Sequence, residues 1–384
     1  MPVKFLHTAD WQLGKPFAGV EDVQKRSALQ QERIAVLGRI GETARAHGAE
    51  FIVVAGDLFD SPSATKSTVS AACSAIGAMG LPVYVIPGNH DHGGPGSLWE
   101  QPFYQREQAS LAPNLHLLLA PEPVELDSAI LLPCPLLRRH EATDTTAWLR
   151  AFESESVKPR VVLAHGSVQS FGSAADDEEG DGVLVNQIDL SRLEAARFDY
   201  IALGDWHGTK QVAAKAWYAG TPELDRFPRG EGYASGQVLI VEAAQGAEPI
   251  VTPVRTARFG WHEMAFELSE DSALAQLAGD FEALIGARAQ QDLLRLELRG
   301  SLGIEATTRL EQLLESWQAR LLRLKLSNQL VVAPSPAEIE ALTRRTSDPF
   351  IARVATQLVA RLTSEGEDAA IARLALRELH ALCG

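Results

Sequence analysis

Five short segments carry residues suited to divalent cations and phosphate: His7-Thr-Ala-Asp10-Trp-Gln12, Gly56-Asp57, Gly88-Asn89-His90-Asp91, His165-Gly166 and Gly204-Asp205-Trp-His207. A carboxylate can bridge two hard cations, imidazole supplies a neutral nitrogen, and an amide oxygen adds a weaker ligand. Two ions a few ångströms apart lower the pKa of a water between them and hold a phosphate oxygen, which supports in-line attack at phosphorus. Glycine beside the ligands permits positive φ and close backbone approach. Any one of these histidines taken alone is most simply structural; the ordered set of five is what points to chemistry.

Chemistry at five separate places requires a scaffold that brings them together. Val3–Leu6, Phe51–Ala55, Val83–Ile86, Val161–Ala164 and Tyr200–Leu203 read as strands, most of them continuous apolar runs of the kind buried on both faces. Helical patterns at Val23–Ala46 and Ser67–Met79 lie between them, so the first part of the chain reads as α/β. Each motif falls at or just past the carboxyl end of an expected strand, where ligands gather in open α/β sheets. After Trp261 the strands Glu263–Leu268, Leu293–Arg299 and Leu322–Leu326 alternate with helices Ser272–Leu284 and Ile304–Ala319. From Pro336 the pattern is wholly helical, with Ser335 and Pro336 as N-cap and first-turn proline. The expected divisions are 1–258, 259–334 and 335–384.

The order of Asp10, Gly56-Asp57, Gly88-Asn89-His90-Asp91, His165 and Gly204-x-x-His207 resembles the calcineurin-like metallophosphoesterase signature. His7-x-x-Asp10-Trp-x-Leu13-Gly14, Ala55-Gly-Asp-Leu-Phe59 and Tyr218-Ala-Gly-Thr-Pro-Glu223 are similar to the repair-nuclease branch, the nuclease subunits of SbcCD-type complexes. The resemblance implies a four-layer α/β/β/α sandwich with a small α/β capping domain and a helical C-terminal tail. It implies two divalent ions, Mn²⁺ first and Mg²⁺ or another divalent ion next. Asp57 would bridge them, Asp10, Gln12 and His207 would serve the first, and Asn89, His165 and Asp205 the second. His90, held by Asp91, would act at the scissile phosphate. Gln12 and Asp205 stand where the family pattern has histidine, so the first position is expected to be weakened and the second harder. The implied partners are DNA, an SMC-like coiled-coil ATPase docked on the C-terminal region, and a second copy of the chain.

The 384 residues carry a formal charge of -15, which argues against a surface that coats nucleic acid along its whole length. Contact with DNA must be local or shared with a partner. Lys15, Arg138, Arg139, Lys210, Arg226 and Arg229 lie on loops after expected strands and are the candidate phosphate contacts. Trp11 and Trp206 are expected to pack around the ligands rather than stack on bases, His7 to pack behind the first loop, and Ala174–Gly182 to form a solvated acidic loop. There is neither a long apolar run nor a leader-like start, and the three cysteines are scattered, so the expected location is cytoplasmic with no membrane span. The leading expectation is a metal-dependent DNA repair exonuclease or endonuclease. Its alternatives are a phosphodiesterase acting on a small molecule and a catalytically weak subunit that regulates or anchors an ATPase.

Overall fold

A computed structural model describes residues 2–168, 185–193, 197–228, 233–270, 272–332, 334–362 and 367–383. Arg229 and the acidic stretch 174–182 lie outside the described residues. The chain divides into two compact units, Met1–Phe259 and Gly260–Gly384.

In chain order the first unit contains β1 (Val3–Thr8), α1 (Val23–Ala46), β2 (Ile52–Ala55), α2 (Lys66–Ala78), β3 (Val83–Ile86), α3 (Pro102–Leu111), β4 (Leu115–Leu117), β5 (Val124–Glu125) and β6 (Ile130–Cys134). It continues through β7 (Arg160–His165), β8 (Ser167–Val168), β9 (Gln187–Ile188), β10 (Tyr200–Gly204), β11 (Lys210–Ala213), β12 (Ala216–Tyr218), β13 (Gln237–Ala243) and β14 (Ile250–Arg255). Two six-stranded sheets result, in the orders β14-β13-β1-β2-β3-β4 and β11-β12-β10-β7-β6-β5. Their centres are parallel, β1-β2-β3 in one and β6-β7-β10 in the other, so the carboxyl ends of the motif-bearing strands in each sheet point the same way.

The sheets pack face to face through Phe5, Phe51, Val53, Leu131, Val161, Leu163, Tyr200 and Val241, all buried. This explains the near-continuous apolar strands, because no face of the central ones meets water. The outer face of the first sheet is covered by α1, α2 and α3, through Leu37, Ile40, Val69 and Tyr104. Asp22 starts α1 by accepting from the backbone N–H of Gln24 and Lys25. The outer face of the second sheet is covered more thinly among the described residues, by short 3-10 turns and loops that bring in Trp148, Leu149, Phe152 and Phe198.

The second unit holds β15 (Gly260–Leu268), α4 (Ala273–Leu284), β16 (Asp292–Leu302), α5 (Ile304–Arg320), β17 (Arg323–Val332), α6 (Pro336–Thr343), α7 (Pro349–Arg361) and α8 (Glu367–Cys383). Its three strands are all parallel, with Phe281 and Trp317 stacked in the core beneath α4 and α5. The terminal helices join this same unit. Glu338, whose capping box with Ser335 starts α6, also accepts from the backbone N–H of Ile304 and Glu305 at the start of α5. Leu342, Ala355 and Leu376 pack on Ile304, whereas Phe350, Ile371, Leu374 and Leu382 are exposed. No helix among the described residues is long and apolar enough to cross a membrane.

Candidate metal centre

The loops after β1 and β2 continue the parallel ladder beyond the strands. Asp10 N–H donates to the Gly56 carbonyl at 3.1 Å, Gln12 N–H to the Asp57 carbonyl at 2.9 Å, and Leu13 N–H to the Leu58 carbonyl at 2.9 Å. This zipper holds Asp10, Gln12 and Asp57 at φ values of 53°, 43° and 54°, in the left-handed region that non-glycine residues seldom occupy. Asp205 is also left-handed, at 105°. Four of the seven expected ligands therefore sit on strained backbone, a concentration typical of functional loops. Glycine clears the space around them, since a Cβ on Gly56 would lie 2.2 Å from the His165 ring and one on Gly88 2.1 Å from Asp57 Oδ1.

Asp10, Asp57 and His165, all buried, each present one ligand atom within 4.8 Å of the others. Asn89 Oδ1 lies 2.9 Å from His165 Nε2, and Asp57 Oδ1 and Asp205 Oδ1 lie 3.6 and 3.8 Å from the same nitrogen. His165 Nδ1 faces the Ala55 carbonyl at 2.8 Å, which requires a proton on Nδ1 and leaves the Nε2 electron pair for the cluster. Nε2 and Asn89 Oδ1 then face each other, an arrangement that a proton or a cation between them would satisfy. The donor set of two buried carboxylates, an imidazole and an amide oxygen fits a divalent ion.

The electrostatics agree with this fit. Burial alone would depress the His165 pKa, but Asp57, Asp10 and Asp205 with the Ala55 carbonyl push it up to about 9. Burial, with Asp57 and Asp205 adding repulsion, holds Asp10 well above the usual carboxylate range despite His165. The metal-free cluster thus retains protons that a cation displaces. Because the folded His165 pKa lies above 6.5, its proton stabilises the fold fully below 6.5, and that contribution is lost as pH rises through about 9. Calorimetric Mn²⁺ titration at about pH 8, repeated in buffers of different ionisation enthalpy, is expected to show release of about one proton per ion. Binding should weaken as pH falls, and equal heats in all buffers would contradict it.

His207 and Gln12 come together in a neighbouring cluster. Gln12 Nε2 lies 3.2 Å from His207 Nε2, and Gln12 Oε1 accepts from Lys15 Nζ at 2.7 Å. His207 Nδ1 meets Asp225 Oδ2 at 3.0 Å, and Lys15 Nζ meets the same oxygen at 3.1 Å. Burial would raise the Asp225 pKa, but His207, Lys15 and Arg226 hold it well below the usual range. Gln12 Oε1, the atom expected to face a cation, accepts from Lys15 Nζ with one of its two electron pairs.

One expectation needs correction. Asp91 does not hold the His90 ring: its Oδ1 accepts from Gly88 N–H at 2.8 Å and its Oδ2 from Phe59 N–H at 3.0 Å. Burial and Asp57 push its pKa up to about 7. His90 Nδ1 instead meets the Asp60 carbonyl at 2.8 Å, and His90 N–H donates to Asp57 Oδ1 at 3.0 Å. Asp91 shapes the loop and Asp60 orients the ring.

Sequence reasoning misses four groups. Asp225 and Asp60 are acids on loops after β12 and β2, and that position is itself the available signal. Ser167 donates to Asp205 Oδ2 at 2.8 Å. Arg33 of α1 is 1% exposed and donates to the carbonyls of Trp11, Asp10 and Glu223 and to Thr221 Oγ1, fixing the backbone of the first loop. Arg33 falls four residues after Leu29 and four before Leu37, on the buried stripe of α1, and that register is the signal that could have found it.

The expected phosphate contacts are dispersed. Arg138, Arg139 and Lys210 are exposed, Arg226 is half-buried against Asp225, and Lys15 is inside the cluster rather than on a rim. Trp11 is 1% exposed and bonded to Thr8. Trp206 is half-buried between Tyr233 and Lys210, and His7 is buried against Tyr200.

A family model described as calcineurin-like phosphoesterase matches residues 3–209. The SbcD component of the SbcCD nuclease of Escherichia coli K12 is 25% identical over 254 residues, covering 57% of this chain and 60% of that protein, and its counterpart in Escherichia coli O157:H7 matches equally. The chain therefore spans less than two thirds of the length of these relatives. Among solved structures, TT1561 of Thermus thermophilus is similar at a TM-score of 0.40 and 12% identity, covering 67% of this chain and all of the other. A dimetal phosphatase from Danio rerio gives 0.36 and 12%, over 65% of this chain and 98% of its own.

Proposed function

The chain belongs to the calcineurin-like phosphoesterases, hydrolases of phosphoesters that bind divalent metals, and on that premise we propose that it cleaves phosphodiester bonds in DNA. The observation that carries the reading is the convergence of buried Asp10, Asp57 and His165 within 4.8 Å. The match to a nuclease component supports DNA as the substrate. Asp57, Asp10, His165, Asn89 and Asp205 hold the cation, with Mn²⁺ the favoured ion because oxygen donors dominate. A bound cation supplies Lewis-acid polarisation of the phosphate and a water of lowered pKa. His90, held through Nδ1 by Asp60, uses Nε2 to stabilise the phosphate or protonate the departing oxygen.

The net charge of -15 makes DNA binding a local matter. Arg138 and Arg139 lie together on an exposed loop after β6 and are assigned to the backbone phosphates. The second unit serves as the capping element for DNA. The exposed Phe350, Ile371, Leu374 and Leu382 on its terminal helices suit a coiled-coil SMC-like ATPase, and the active assembly is a homodimer.

The test compares Mn²⁺-dependent cleavage of labelled single- and double-stranded DNA with turnover of a small chromogenic diester. DNA cleavage abolished by chelation is the expected result. Diester turnover without DNA cleavage would transfer the assignment to a small substrate, and no turnover of either would indicate a regulatory subunit. Replacing both residues, Arg138→Ala and Arg139→Ala, is expected to weaken DNA binding about tenfold at moderate salt. The plot of log affinity against log salt should become shallower by ~2, and an unchanged slope would remove this surface from the reading.

A further inference from the structure

We propose that Ser167 is a positioning residue of the metal centre: its hydroxyl aims the Asp205 carboxylate at the cation, and Tyr218 and Asn186 hold Ser167 in place. The inference rests on the reading of Asp205 as a metal ligand given above and deepens it.

Asp205 is the most open of the three carboxylates. Its side chain is 26% exposed, whereas that of Asp57 is 2% exposed and Asp10 is fully buried. A carboxylate facing water turns about its side-chain torsions unless a neighbour restrains it, and a ligand that wanders binds weakly. Two contacts restrain this one. Asp205 N–H donates to Asp10 Oδ1 at 3.1 Å, which fixes the backbone, and Ser167 Oγ donates to Asp205 Oδ2 at 2.8 Å, which fixes the side chain. Oδ1 then lies 3.8 Å from His165 Nε2, on the side of the cluster. A hydroxyl that donates to a carboxylate also favours its ionised, ligating form. Histidine, usual at this position in the family pattern, brings a second ring nitrogen that an acceptor orients. Aspartate brings a second oxygen instead, and that oxygen calls for a donor.

A serine hydroxyl rotates, so its aim is only as firm as the backbone that carries it. The backbone around Ser167 is tied on several sides. The buried Tyr218 hydroxyl donates to the Gly166 carbonyl at 2.7 Å and accepts from Val168 N–H at 3.0 Å, bracketing Ser167. Ser167 N–H donates to the Asn186 carbonyl at 3.0 Å, and Gly166 N–H to the carbonyl of Gly204, the residue before Asp205, at 3.1 Å. Asn186 is anchored in turn, because its N–H donates to the Glu141 carbonyl at 2.9 Å while its side chain donates to the Arg139 carbonyl at 3.0 Å and accepts from Glu141 N–H at 2.7 Å. Gly166 has a φ of 146°, and a Cβ there would lie 2.1 Å from the Asn186 carbonyl oxygen, so glycine is what lets the two segments approach.

Calorimetric titration of the full chain with Mn²⁺ reads the effect. Ser167→Ala is expected to lower affinity about 10- to 100-fold, while Ser167→Thr, which keeps a hydroxyl on the same carbon, stays near the wild type. The visible spectrum of the Co²⁺-loaded chain, which follows the arrangement of ligands, is expected to change in Ser167→Ala and not in Ser167→Thr. Tyr218→Phe leaves Ser167 in place but loosens its backbone, and should give a smaller loss of affinity in the same direction. Wild-type affinity and spectrum in a Ser167→Ala variant of native circular dichroism would overturn the inference and leave the metal-dependent reading intact. Equal losses in the alanine and threonine variants would also overturn the role of the hydroxyl. No ion bound by the wild type would overturn the reading on which the inference rests. If Ser167→Ala does not fold, Tyr218→Phe decides, and wild-type affinity and spectrum there would overturn the inference.

Discussion

Asp57→Asn is expected to lower Mn²⁺ affinity and kcat/KM on DNA by about a thousandfold, equivalent to about 4 kcal/mol, without unfolding the protein. Asparagine keeps the shape and an oxygen able to accept from His90 N–H, now at 3.0 Å from Asp57 Oδ1, so the loop should hold. What disappears is a buried negative charge. Its absence relieves two neighbours, because Asp57 raises the pKa of both Asp10 and Asp91. It also removes the largest attraction on protonated His165. With repulsion and attraction both lost, the metal-free variant is expected to melt no lower than the metal-free wild type. Loss of the large Mn²⁺-induced rise in Tm should accompany this. The pairing of an unharmed metal-free fold with a lost metal response separates a ligand from a structural aspartate. A variant that retains the Mn²⁺-dependent rise and DNA cleavage would remove Asp57 from the centre.

The scaffold for this chemistry is largely legible in the chain. The continuous apolar runs become the central strands because both their faces are covered, and α1 spans Val23–Ala46 as its periodicity indicates. Less visible are β11 and β14, which carry mostly exposed or half-buried residues, and β4 and β5, which are two or three residues long. Such strands are specified by pairing with a neighbour more than by their own sequence. Ligand types are readable for the same reason as the strands, since each motif adjoins one. The connections among them are not. Asp60 reaches His90 through its carbonyl, which any residue possesses, and Asp91 is diverted to two backbone N–H groups that only the folded loop presents. The Lys15–Gln12–His207–Asp225 network spans four positions from three loops, and no spacing rule connects residue 15 with residue 225.

The reassignment of Asp60 and Asp91 makes the His90 prediction specific. With Nδ1 committed to the Asp60 carbonyl, Nε2 is the ring nitrogen left for the proposed contact with substrate. His90→Ala is expected to reduce kcat on DNA by ~10²–10³, in the range of a lost general acid or phosphate-stabilising group, while Mn²⁺ stoichiometry stays at the wild-type value. The two roles separate by leaving group. A nitrophenolate departs without needing a proton, so a general acid should matter far less on a chromogenic diester than on DNA, where an alkoxide leaves. Equal losses on both substrates would instead assign His90 to holding the phosphate. Asp91→Asn should behave differently, because one oxygen can still accept a backbone N–H while the other becomes a donor facing a donor. Its cost falls on stability, about 1–3 kcal/mol in urea unfolding, with a smaller and substrate-independent loss of rate. If Asp91→Asn instead reproduced the substrate-selective loss of His90→Ala, the carboxylate would be orienting the ring after all, and the Asp60 carbonyl would be a bystander.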